Sequence, residues 1–182
     1  MARRRCSLTS GPGVHSGGMF HSSRLLSTCS DCDRSVHRRD NGWVGNDYVH
    51  GPQAGVRIIG YALTGSGVGT RLQGAALFTP NAESHKGLCH GGTMCAVMDD
   101  VIGWVGFCVT GECVPWSGFT VQVNTSLQAP VSVGSWLRVE GTITAVERRK
   151  VSVKASLVSP AVGDGQPEVV HCVAEGLFVV KK

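Results

Sequence analysis

The run His90-Gly91-Gly92-Thr93-Met94-Cys95-Ala96-Val97-Met98-Asp99 joins a glycine-rich helix start to a carboxylate inside an otherwise apolar helix. From Gly92 to Val109 the only charged residues are Asp99 and Asp100. A carboxylate in such surroundings is expensive to bury without partners, which marks it as a functional candidate. The exposed amides of Gly91 and Gly92, at the positive end of the helix dipole, can polarise a carbonyl and stabilise the oxyanion that forms when it is attacked. A carboxylate able to activate or align water completes the minimum apparatus for acyl hydrolysis. No Gly-x-Ser-x-Gly elbow suggests a serine nucleophile. Cys89 beside His90 is the nearest approach to a Cys–His pair, and adjacency in sequence does not make one.

A helix is needed to position these groups. Gly92, Ala96, Asp99, Gly103 and Gly106 recur at spacings of four, three, four and three, which puts them on one helical face. Asp99 shares that stripe, whereas Asp100 is rotated about 100° away, so Asp99 is the better candidate. Glycine inside a helix costs about 1 kcal/mol relative to alanine, so Gly103 and Gly106 predict close approach of a backbone or a ligand. His90 lies just outside the helix, where it can satisfy a free backbone donor.

Strands surround this helix in the sequence. Val56 to Leu63 and Arg71 to Thr79 are β-prone runs joined by the glycine loop 64–69, which lacks the Lys-Ser/Thr ending of a phosphate-binding loop. Pro80 to Cys89 is a largely polar connection containing Asn81, Ser84 and His85. After the helix, Phe119, Val121, Val123 and Leu127 alternate with Thr120, Gln122, Asn124 and Ser126. That phase predicts that the Thr120 hydroxyl leaves the apolar face. Alternation recurs over 137–145 and 151–157, and a last strand follows at about 168–180. The order β-β-α-β-β-β-β predicts an α+β domain in which one long central helix is wrapped by a curved antiparallel sheet of about six strands. The folded domain is expected over 56–180, after an N-terminal targeting or flexible segment over 1–50 with one short helix near its end.

Charge and composition narrow the function classes. The formal charge of +4 is uneven: residues 1–30 hold Arg3, Arg4, Arg5 and Arg24 and no acid, whereas residues 56–182 carry ten basic and nine acidic groups. With no Lys/Arg stripe interleaved with aromatics, a nucleic-acid surface is not supported. No apolar run reaches the roughly eighteen residues that would span a bilayer. The Arg- and Ser-rich, acid-free N-terminus has the composition of a mitochondrial import signal, and cytoplasmic residence is the alternative. The eight cysteines do not read as a disulfide framework, because Cys89, Cys95, Cys108 and Cys172 lie in apolar contexts. Cys29 and Cys32, with His37 beyond, have the inner spacing of half a zinc site and no second pair to complete it, so no metal or other cofactor is expected.

His90-Gly91-Gly92 followed by Asp99, then Thr120 ahead of Asn124 and Pro130, resembles the hotdog-fold acyl-CoA thioesterases of the phenylacetate-pathway and thioesterase-superfamily type over about residues 56–180. The resemblance implies that Asp99 is general base or nucleophile, that the Gly91 amide polarises the thioester, that Thr120 aligns water and that His90 positions the site, with Gly92 beside the substrate. It implies hydrolysis of a fatty or aryl acyl-CoA to free acid and coenzyme A. Glu147-Arg148-Arg149-Lys150 resembles the family's Gly-Arg or Gly-Lys turn, whose basic residue meets the nucleotide phosphates; with Arg148 in the glycine's place, Arg148, Arg149 and Lys150 all remain candidates. Many relatives carry Asn six residues before the His; here that position is Ser84, with Asn81 nearby. The family builds each site from two protomers, so a homodimer or a dimer of dimers is expected. The alternatives are a thioesterase for acyl carrier protein and a hotdog module that binds acyl-CoA or a protein partner without turnover.

Overall fold

The computed structural model describes residues 24–26, 49, 53–159 and 167–182. The N-terminal stretch read as an import signal lies almost wholly outside the described residues, as do Cys29, Cys32, His37 and the short helix expected before residue 50.

Helix α1 (Gly91–Phe107) starts at a glycine pair, contains no proline, and buries Met94, Val97, Met98, Val101, Ile102 and Val105 among others. Each such side chain contributes about 1.5–3 kcal/mol on leaving water, which holds the helix despite its four glycines. The strands are β1 (Arg24–Leu26), β2 (Val56–Thr64), β3 (Arg71–Phe78), β4 (Glu83–His85), β5 (Leu88–Cys89), β6 (Gly118–Leu127), β7 (Trp136–Glu147), β8 (Lys150–Ser159) and β9 (Val169–Val180). Seven of them form one antiparallel sheet in the order β1-β2-β3-β7-β8-β9-β6, and β4 pairs with β5 as a separate hairpin. The six long strands are those expected from the sequence, three from alternation and three as β-prone runs set off by turn segments. β1 adds three residues to the outer edge of β2, pairing Arg24 with Leu63 and Leu26 with Tyr61.

The sheet wraps α1, whose buried side meets β3, β7, β8, β9 and β6. Two sheet glycines let the helix come close. A Cβ at Gly141 would stand 2.8 Å from a Val101 methyl, and one at Gly176 would stand 2.5 Å from a methyl of Ile102. Because the strand order ends at β6, one long edge of the sheet and the adjoining flank of α1 have no further strand beside them among the described residues.

On the outer face, β3 and β7 are tied by charge. Arg71 and Gln73 donate to the two oxygens of Glu140 at 2.7 and 2.8 Å, and Arg138 forks onto Glu168 at 2.7 and 2.8 Å. The Arg138 Nε lies 2.6 Å from Glu140 as a charge contact without hydrogen-bond alignment. Partial burial opposes ionisation of Glu140, yet the hydrogen bonds from Arg71 and Gln73 and the charges of Arg71 and Arg138 outweigh it and hold the carboxyl below its ordinary value. A depressed carboxyl favours the folded state above its unfolded pKa of about 4.3 and loses that contribution as pH falls through the lower folded value. Thermal melts between pH 5 and pH 3 are therefore expected to fall less steeply for Glu140→Gln than for the parent. The difference should be at most about 1 kcal/mol, since the network is partly in water. Parallel slopes would remove Glu140 from the account of acid lability.

Candidate active site

The helix start is fixed from both sides before α1 begins. The Cys89 amide donates to the Val131 carbonyl at 2.8 Å and the His90 amide to that of Ala82 at 2.7 Å. His90 then caps the helix in extended geometry (φ −66°, ψ 131°), and its Nδ1 accepts from the Gly92 amide at 2.8 Å. With Nδ1 an acceptor, the neutral ring carries its proton on Nε2. The same bond occupies the Gly92 amide, so of the two glycine donors it is Gly91 whose amide stays outside the cap. Glycine at 92 also makes room for the cap, since a Cβ there would lie 2.9 Å from His90 Nδ1. The Cys89 thiol is pushed up to about 11 by burial, against a smaller opposing effect of a hydrogen bond with Thr93. It is therefore a thiol at neutral pH and a poor nucleophile.

Asp99 follows Gly91 by eight residues, or about 12 Å along the axis. The two aspartates part company as the stripe predicts: Tyr61 Oη donates to Asp100 Oδ2 at 2.9 Å, while Asp99 has no hydrogen-bond or ion-pair partner among the described residues. One expectation is corrected here. Asp99 is exposed in the single chain rather than buried, because it lies on the flank of α1 beside the sheet's open edge.

A groove of about 510 Å³ runs along that flank, walled by Cys95 and Asp99 from α1 and by Thr120, Gln122, Val123 and Thr125 from β6. Thr120 thus faces the helix, contrary to the phase read from sequence. Opposite β9, Thr120 pairs with Phe178 and Gln122 with Leu177, so Val121 is an extra residue, a β-bulge. Before the bulge Gly118 and Thr120 point inward; after it Val123 and Thr125 do. Phe119 and Val121, expected inside, are exposed. The Thr120 hydroxyl comes to rest against Gly103, where a Cβ would lie 3.5 Å from it. The expected common purpose of the stripe glycines also divides, because Gly106 is filled by the Phe178 ring rather than left open.

Other sequence candidates lie away from the groove. Asn81 is exposed and donates to the Gln53 carbonyl at 3.3 Å, and Ser84 is exposed on β4; neither lines the groove. Arg148, Arg149 and Lys150 form the β7–β8 turn, where Arg148 holds a left-handed φ of 56° that glycine adopts more easily. Arg149 accepts the Val180 amide at 2.9 Å, and Val180 pairs with Gly118, so this basic turn stands two strands from the start of β6. Sequence reading missed Lys181. Its ammonium lies 5.9 Å from the ring centre of exposed Phe119, which adds a cation and an aromatic face to that end of the sheet. As the residue after the last strand, Lys181 had no motif or spacing to signal it.

Residues 86–163, from the β4–β5 turn through α1, β6, β7 and β8, match the thioesterase superfamily. No curated protein sequence matches the chain. Among solved structures, a hypothetical thioesterase with coenzyme A from Streptococcus pneumoniae is similar at 15% identity and a TM-score of 0.51, over 66% of this chain and 88% of that one. The protein smu.793 from Streptococcus mutans, bound to acetyl CoA, is similar at 15% identity and a TM-score of 0.50, over 66% and 88%. At these identities the likeness is one of fold. The family match spans less than half of the chain, from the turn before the helix through β8; with a helix wrapped by six long antiparallel strands it gives this chain the hotdog fold and a central stretch similar to the thioesterase superfamily.

Proposed function

We propose that the protein hydrolyses acyl-CoA thioesters in sites shared between two copies of the chain. The observation that carries this reading is the groove in which Asp99 and Thr120 face one another beside the uncovered β6 edge. Asp99 takes a proton from a water aligned by Thr120, and the oxygen of that water attacks the thioester carbonyl. The oxyanion is held by a Gly91 amide. As the tetrahedral intermediate collapses, the C–S bond breaks and the proton passes to the leaving sulfur, giving the free acid and coenzyme A.

Within one chain this cannot happen at a single carbonyl, because Gly91 and Asp99 are about 12 Å apart on one helix. A two-fold pairing that sets two helices antiparallel brings the Gly91 of one copy toward the Asp99 of the other. It would also cover Leu127, which is 51% exposed on the helix side of β6 with a methyl beside Gly91. A further doubling into a dimer of dimers is compatible with this arrangement. Coenzyme A as the thiol half is supported by the basic turn Arg148-Arg149-Lys150, which has no ion pair among the described residues, with Lys181 beyond it, a surface suited to phosphates, and by coenzyme A ligands on two proteins of like fold.

Two inactive variants test the sharing. Gly91→Pro removes the amide donor at the first helical position, where proline is favoured, and the extended His90 before it accommodates the ring. Co-expressed with Asp99→Asn, it is expected to restore about a quarter of parental thiol release, half the dimers being mixed with one complete site each. Absence of any rescue, with both variants folded and mixed dimers demonstrated, would show that each chain acts alone and sink the shared site.

A further inference from the structure

The hydrolytic scheme leaves the buried imidazole of His171 on β9 unused. A bulge puts it there: Leu157 pairs with Cys172 and Val158 with Val170, so His171 is an extra residue, buried next to buried Cys172 where alternation would expose one of them. Its ring bridges two segments. Nδ1 lies 2.9 Å from the Pro130 carbonyl, which can only accept, so Nδ1 carries the proton; in the neutral ring Nε2 then accepts from the Ser159 hydroxyl at 2.6 Å. The His171 carbonyl accepts from the amides of Gln128 and Ala129 at 2.9 and 3.2 Å. One residue thus pins three consecutive members of the loop that follows β6.

The pinned residues are flanked by those that hold the start of α1. On one side, the Val131 carbonyl takes the Cys89 amide at 2.8 Å, Ser132 bridges Leu88, and the Val133 amide donates to the Gly87 carbonyl at 3.0 Å. Segment 131–133 therefore runs as an antiparallel partner of 87–89, the residues that lead into the His90 cap. On the other side, Leu127 ends β6 with a methyl 2.6 Å from where a Cβ at Gly91 would stand. Gly91 is set from behind by a backbone ladder and from the side by Leu127, and both belong to the stretch that His171 anchors.

Resting on the Gly91 reading above, we propose that His171 is a positioning residue: its Nδ1–H, acting through Pro130 and Val131, sets where the Gly91 amide stands when it meets the thioester oxyanion. His171 itself lies outside the groove. A displacement of about 1 Å in a group that acts on the transition state is worth about 10²-fold in rate.

The test separates the two ring nitrogens in the full chain. In His171→Asn the side-chain amide nitrogen falls near the place of Nδ1 and donates to Pro130, whereas in His171→Gln it falls near Nε2 and leaves the Pro130 carbonyl without its donor. Both variants remove the ring, so both should melt below the parent. His171→Gln is expected to lose about 10–100-fold in kcat with KM within about 3-fold, and to exchange its Cys89 amide hydrogen about 10-fold faster or more. His171→Asn and Ser159→Ala should keep both quantities within about 3-fold of the parent's, because the Pro130 donor is retained. Losses of kcat that follow melting temperature across the three variants, or parental kcat in His171→Gln, overturn the proposal. If His171→Gln does not fold, Cys89→Pro, which deletes the amide that meets Val131, is expected to show the same loss of kcat, and full activity in it overturns the proposal instead. A parent inactive on acyl-CoA removes the hydrolase reading, and amide exchange then decides alone: faster exchange at Cys89 in His171→Gln but not in His171→Asn supports the positioning by His171, and equal rates overturn it.

Discussion

Asp99→Asn is expected to lower kcat for acyl-CoA hydrolysis by about 10²–10⁴-fold, the range typical of losing a positioned general base. The substitution keeps the shape of the side chain and removes its ability to take a proton from water. KM should change little, because Asp99 is assigned to the water rather than to substrate binding. Folding should not suffer either: Asp99 is exposed and makes no hydrogen bond or ion pair with the described residues, so the melting temperature should stay within a degree or two of the parent's. Asp100 is the internal control. Its carboxylate accepts from Tyr61, an arrangement that Asp100→Asn preserves through its amide oxygen, so that variant should keep kcat within a few-fold. Full-rate hydrolysis by Asp99→Asn, or equal losses in the two variants, would remove Asp99 from the chemistry.

The largest effect on stability is expected from Gly106→Val. A single Cβ at this position already falls 2.6 and 2.7 Å from carbons of the Phe178 ring, inside any real contact distance. The ring has nowhere to go, since it is fully buried, and its far edge lies 2.5 Å from where a Cβ at Gly118 would stand. Overpacking of this kind costs about 3 kcal/mol or more when the neighbour cannot move. For a chain of this size that corresponds to a fall of about 6–12 °C in Tm. Phe178→Leu in the same chain should recover part of the loss, because the two sites share one volume and their effects cannot simply add. A Gly106→Val melt within about 1 °C of the parent's would mean that α1 shifts on the sheet more easily than the glycine contacts indicate.

Much of the architecture was legible because it depends on periodicities of 3.6 and 2 that the sequence carries openly. The helix start near Gly91 or Gly92 follows from its glycine pair, the order of the six long strands from β-prone and alternating runs between turn segments, and the assignment of Asp99 and Asp100 to different sides of α1 from helical spacing. The misses arise where a side chain's fate is decided by something not adjacent to it. Asp99 reads as buried in an apolar run, yet burial depends on what stands beside β6, and strand order along a sheet is not encoded in the helix. Thr120 reads as outward because alternation was carried through Val121 without interruption, and a bulge has no residue type that announces it. Val123 kept its expected side because it lies beyond the bulge, on the register that the rest of β6 follows. Ser84 and Asn81 were placed by counting back from His90, and the β4–β5 hairpin takes Ser84 away from the groove while Asn81 turns to Gln53.

The extra residue at Val121 makes the groove a matter of parity as much as of chemistry. Substitutions along β6 change one side chain at a time, and most leave the others where they are. A single-residue deletion between Thr120 and Val123 would instead return the strand to even counting and exchange inside for outside on one half of it, sending Thr120 to the far face and Phe119 toward the helix, or else turning Val123 and Thr125 away. The site on this edge can therefore tolerate drift in composition far more readily than any change in length.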